Sequence, residues 1–209
     1  MKKLIFILFA FTGWYDPIQA DSPLTSTKFS DAYSSIPVIK LAEAAKGKLT
    51  KELMEYMSEE GNPIDAKMAI INQLGWDPAG RNNADIWFKY LRLIKGYDDT
   101  MDMETNAEGY ELLCYAYLMA MDNYFEVEKA IEYAEKAKSK NPESYTFNII
   151  QALIMAQKAL CLDWCEVYDL ANRVREKKSL SVDLDIEAIN IIFRYMDLYK
   201  ESCKVKIPE

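Results

Sequence analysis

The chain contains no histidine. That removes the side chain that most often serves as general base and metal ligand near neutral pH. Neither a Ser-His-Asp nor a Cys-His catalytic device can be built without it. Glycine and proline are scarce, with seven of each in 209 residues, which argues against an all-β fold with many tight turns. No glycine-rich phosphate loop and no G-x-S-x-G turn occurs. Beyond the first residues no apolar run is long enough to cross a bilayer, so no membrane span is expected in the folded chain. Positive charge is the scarcer sign: 25 Lys and Arg stand against 33 Asp and Glu, a net charge of −8. Such a chain is repelled by nucleic acid and by anionic membranes.

Half of the residues are hydrophobic and helix formers are abundant, so the composition predicts a packed helical protein rather than a disordered one. Lys2 and Lys3 precede an apolar run over residues 4–14, and Ile18-Gln19-Ala20 places a small residue before Asp21. This pattern predicts a signal peptide over residues 1–20 and export to the periplasm or the medium. The alternative is an ordinary N-terminal helix or an uncleaved anchor. No cysteine follows the run, so a lipoprotein anchor is not available.

Helical signals then dominate. Residues 37–46 and 50–60 read as two short helices separated by Gly47, and Asn62-Pro63 opens a third with Ile64, Met68, Ile71 and Leu74 on one face. Gly75 ends it. Residues 76–80 form a turn, and Asn82 or Asn83 caps a helix with a core stripe of Trp87, Tyr90, Leu91 and Ile94. Residues 97–104 read as an acidic connector between an N-terminal helical part, 21–96, and a second part, 105–209. Thr105 and Glu108 match a capping box. Further helices are predicted to about Met121, around Val127, Ala130, Ile131, Ala134 and Ala137, from Asn141-Pro142 to about Leu160, and from Asp163 to about Lys178. Ser181 or Asp183 caps a last helix whose stripe is Ile189, Ile192, Phe193, Met196, Tyr199 and Cys203. No convincing strand is present, so the fold class is all-α.

Carboxylates are the remaining source of acid and base chemistry. They cluster at Asp98, Asp99, Asp102 and Glu104, and again at Asp183, Asp185 and Glu187. Helix starts attract acids for electrostatic reasons alone, and neither cluster has the spacing of a calcium loop, because Met103 or Ala188 stands where the turn glycine belongs. Arg173, Arg175, Lys177 and Lys178 make the one dense basic patch, at a predicted helix end where cations offset the dipole. The cysteines are Cys114, Cys161, Cys165 and Cys203. Cys161 and Cys165 flank the cap at Asp163, and a kink there predicts a disulfide between them. Cys114 reads as a buried thiol, or as a partner of Cys203. No second ligand pair supports zinc, and no cofactor is implied.

Residues 128–142 (EKAIEYAEKAKSKNP) resemble the second helix of a tetratricopeptide repeat with its closing proline. Ala130, Ala137 and Pro142 fall on the family's small-residue and proline positions, and Ala116, with Leu112 ahead of it, on those of the first helix. Ala134 departs from the usual aromatic. Residues 145–178 keep the repeat length without the terminal proline. The resemblance implies antiparallel helical hairpins stacked in a right-handed array, as against a plain helical bundle. It also implies a groove that binds a partner protein or peptide, lined here by Tyr110, Leu113, Tyr117 and Met121. Trp76, beside Arg81, Asn82 and Asn83, is a further candidate contact or else a plug at the end of a helix pair. The expectation is an exported scaffold or adaptor without catalytic residues, its acidic surface favouring a basic partner. The alternatives are an immunity-type inhibitor of a toxic enzyme and a carboxylate-dependent enzyme.

Overall fold

A computed structural model describes residues 22–204. The predicted signal peptide and the last five residues lie outside that range. Ten α-helices follow one another: α1 (Pro37–Ala44), α2 (Lys51–Ser58), α3 (Ile64–Leu74), α4 (Asn83–Lys95), α5 (Thr100–Asn106), α6 (Gly109–Asp122), α7 (Glu128–Lys140), α8 (Tyr145–Ala159), α9 (Trp164–Glu176) and α10 (Ile186–Met196). Short 3-10 segments, Phe29–Tyr33 and Asp197–Lys204, precede and follow them. Among the described residues there is no strand, only an isolated bridge between Ser144 and Ser181. The fold class is therefore all-α. No described helix is long and apolar enough to cross a membrane.

Local chemistry explains most helix starts. Thr50 accepts the Leu53 N–H, Asp99 accepts those of Met101 and Asp102, Ser144 that of Phe147, Asp163 those of Cys165 and Glu166, and Asp185 that of Glu187. Each satisfies orphan donors of a first helical turn. Asp99 and Asp185 of the two acidic clusters are thus spent on capping, and Glu104 and Glu187 on ion pairs with Lys136 and Arg194. Asp183 serves a different helix from its own neighbours: its carboxylate accepts from Ser144 Oγ and from the Thr146 N–H, fixing the start of α8.

Two starts differ from expectation. The capping box at Thr105 and Glu108 is not the one used. Glu108 is itself the cap of α6, and the carboxylate of Glu111 accepts the Glu108 N–H at 2.9 Å. The start of α4 takes a cap from outside. Asn83 is buried, bridging Leu49 N–H and the Gly47 carbonyl, while Asp122 at the end of α6 accepts the Ala84 N–H at 2.7 Å. Burial raises the pKa of that carboxylate.

The segment expected as a connector carries α5. Its Met103 is fully buried and Glu104 pairs with Lys136 of α7. A single apolar core runs from Leu24 to Met196 across it. The helices pack as successive hairpins: α6 on α7, α7 on α8, and α8 on α9, with α3 and α4 laid against the other side of α6. The result is a stacked helical array.

The cysteine pairing is corrected by the fold. Cys165 bonds to Cys203, with Cα atoms 4.6 Å apart, while Cys161 is exposed and free and Cys114 is buried and free. The C-terminal 3-10 segment packs along α9 and carries Cys203 to the start of that helix. Only tertiary packing makes this 38-residue separation short. Loss of the bond, by Cys203→Ser, is expected to lower stability by about 3 kcal/mol through the loop it closes. Cys161→Ser should leave stability unchanged, and urea titration of both variants checks the pair.

Candidate functional site

The groove positions implied by the repeat resemblance lie on α6, and the structure closes that face. Leu113 and Tyr117 are fully buried and Met121 nearly so. Tyr117 Oη is hydrogen-bonded by Asn72 Nδ2 of α3 at 3.0 Å, and its ring stacks on Phe29 at 6.4 Å. Burial pushes its hydroxyl far above the ordinary tyrosine range. Tyr110 is half-buried, donates to the Ser58 carbonyl at 3.1 Å, and lies 3.8 Å under the Lys67 ammonium. Leu113, Tyr117 and Met121 are core residues, and Tyr110 and Tyr117 are bonded to the chain's own N-terminal helices, so this is not an open binding face. The pattern of α6 carried the warning, because a helix apolar on all sides is buried on all sides.

Trp76 is half-buried and stands edge-on to Tyr124 at 5.1 Å, with its carbonyl accepting from Arg81 Nη2. It plugs the end of a helix pair. With Met121, Asn72 and Leu24 it lines a small pocket of about 200 Å³.

Beside the α6 face lies a buried polar network. Lys67 is almost wholly enclosed and donates to the Glu59 carbonyl at 2.7 Å. Glu111 is fully enclosed and meets Lys95 Nζ at 3.1 Å and Tyr97 Oη at 2.8 Å. Burial lowers the pKa of Lys67 and raises that of the Cys114 thiol to about 12. Each charge has a partner, as buried charges require, and none of these side chains lines a described pocket except Asn72 and Met121 of the neighbouring contacts. The network ties α3, α4 and α6 together.

The open feature is elsewhere. Helices α7 and α9 both pack on α8 but hardly on each other. A furrow is left between them, with α8 as its floor. From α8 it takes Asn148, Gln151, Ala152, Met155 and Ala159, spaced as one helical face. From α9 come Leu170, Arg173, Val174 and Lys177, and from α7 come Ile131 and Lys138. The furrow has two compartments that share Met155 and Leu170, of about 210 and 160 Å³. One end is mostly apolar, with Ile131, Ala159 and Leu162, and is edged by Lys158 and Glu166. The other holds Lys138, Arg173 and Lys177 around the amides of Asn148 and Gln151.

Two members of the basic patch, Arg173 and Lys177, therefore face this furrow in addition to ending α9. Arg175 does not: it is held by Asp197 at 2.9 Å and stacks over Phe193. The sequence holds a partial signal, since Asn148 and Gln151 interrupt the largely apolar stretch over residues 147–156 of α8 at a spacing of three.

No protein-family model matches the chain, and no curated protein or solved structure matches it either.

Proposed function

We propose that this is an exported binding protein that seats a segment of a partner protein or peptide in the furrow along α8. The observation that carries this reading is the furrow between α7 and α9, floored by α8 side chains that are themselves mostly buried. It combines apolar area with a few convergent polar groups, the composition of a recognition site. Leu162, at its apolar mouth, is 78% exposed. Stacked helical hairpins commonly present such surfaces to other proteins. The starts of α6 and α8, at Gly109 and Tyr145, recur near the period of about 34 residues of a tetratricopeptide array, which supports that resemblance. The Cys165–Cys203 bond supports export, because disulfides persist in oxidising compartments.

Site-specific photo-crosslinking tests the reading. A benzophenone side chain placed at Leu162 or Lys177 is expected to trap the same partner in the cells that make the protein. The same group at Leu93, exposed on α4 away from the furrow, should not trap it. Adducts that are the same from all three positions, or absent from the furrow positions, would sink the proposal. Leu162→Glu should weaken capture about tenfold, as expected when a charge enters an apolar contact, and leave the melting temperature unchanged.

A further inference from the structure

The basic end of the furrow is unlike the rest of this acidic protein. Lys138, Arg173 and Lys177 converge on one compartment, and no carboxylate lines it. Among the described residues none of the three forms an ion pair. Arg173 also borders an acidic depression with Asp163, Glu166 and Asp169, yet pairs with none of them. Between the cations lies Gln151, only 6% exposed, whose side-chain amide makes no hydrogen bond with any described residue. Asn148 is 7% exposed, spends its Nδ2 on the carbonyls of Pro142 and Ser144, and lines the same compartment. The Gln151 amide is not sealed off: it lines the compartment and can bond whatever enters it. The three cations around it favour an anionic group.

The geometry points to a partner segment that carries an acidic side chain, seated at Gln151, Arg173 and Lys177, with an apolar side chain seated at Ile131, Ala159 and Leu162. This rests on the furrow being the binding site, and it specifies what the furrow selects. The ammonium and guanidinium groups supply charge, and the Gln151 amide donates to the carboxylate. The two compartments are centred near Gln151 and Ala159 on α8, about 12 Å apart at the helical rise. An extended chain covers that distance in about four residues. The recognised pattern is therefore Asp or Glu followed or preceded, about four residues away, by a large apolar residue. The selected charge is opposite to the one suggested by the net charge of −8, because cations and no carboxylate line this compartment, so direct contacts decide its preference.

Amidated hexapeptides in a Gly/Ser background, titrated into the isotope-labelled full chain and followed by backbone NMR shifts, test this. The set carries Glu at the first position and Leu at each later position in turn, with matched peptides in which Lys replaces Glu or Ser replaces Leu. The Glu peptide with Leu four residues on should shift α8 and α9 resonances saturably, at least tenfold more tightly than its Lys counterpart. In the Arg173→Glu/Lys177→Glu double variant, two exposed positions whose change leaves the core intact, the preference should reverse. Gln151→Leu should weaken the Glu peptide and leave a Leu-only peptide unaffected. If Lys peptides bind the furrow as tightly as Glu peptides, the acidic specificity is wrong while the furrow remains a binding site. If no peptide shifts furrow resonances, both readings fall.

Discussion

Tyr117→Ala is expected to destabilise the protein by about 3–5 kcal/mol, the cost of emptying a large aromatic site in a packed core. For a chain of this size that lowers the melting temperature by roughly 10 °C or more. Tyr117 is fully buried, stacks on Phe29, and joins Asn72, which in turn holds the Ser30 N–H and the Thr27 carbonyl. The cavity would therefore open where α3, α6 and the N-terminal 3-10 turn meet. Tyr117→Phe keeps the ring and removes only the hydroxyl, so it should cost about 1–2 kcal/mol, the penalty for a buried amide that loses a partner. Urea unfolding followed by tryptophan emission measures both. An unchanged midpoint for Tyr117→Ala would place this residue on an open groove and overturn the core assignment.

The protein is expected to unfold in mild alkali, near pH 11. Tyr33, Tyr115, Tyr117, Tyr145 and Cys114 are all buried, and for each of them burial is the main cause of a raised pKa. Those of Tyr115, Tyr145 and Cys114 rise to about 12. The folded state keeps these protons while the unfolded chain releases them, from about pH 9 for the thiol and about pH 10 for tyrosine. Stability from a raised pKa is whole below the unfolded value and is lost as pH climbs toward the folded one. At about pH 11 each of these groups contributes a loss on the order of 1 kcal/mol or more. Together they remove several kcal/mol, a large share of the stability of an ordinary domain. Lys67 works in the other direction, because its lowered pKa makes the fold gain stability as pH rises toward the ordinary lysine value. One lysine offsets only part of the loss. Far-UV circular dichroism and tyrosinate absorbance should change together in a single transition. Tyrosines that titrate at their ordinary value with the helices intact would contradict their burial.

The candidate site was only partly legible in the residues. Four of the five positions offered for partner binding came from a repeat alignment that says which side of a helix faces a groove. It says nothing about what the chain's other helices do with that side. Here α3 and α4 occupy it, and Leu113, Tyr117 and Met121 became core. The furrow that is open faces away from them. Its residues come from three helices, so no local window contains them. Asn148 and Gln151 were visible as polar interruptions of α8, and Arg173 and Lys177 as a basic helix end. Nothing in one dimension brought them together with Lys138.

What the sequence determined by itself was local. Caps such as Asp163, the 3.6-residue spacing of apolar positions, and the scarcity of glycine and proline dictated helices, because a helix closes its hydrogen bonds within a few residues and needs no distant partner. What the tertiary structure decided was every pairing across distance: Cys165 with Cys203 and not with Cys161, Asp122 as the cap of α4, and which face of α6 is covered and which face of α8 floors the furrow. Packing of apolar surface is non-directional, and many arrangements of the same helices bury similar areas. The choice among them is made by shape, by buried polar partners and by covalent links. Those are properties of elements already brought into contact.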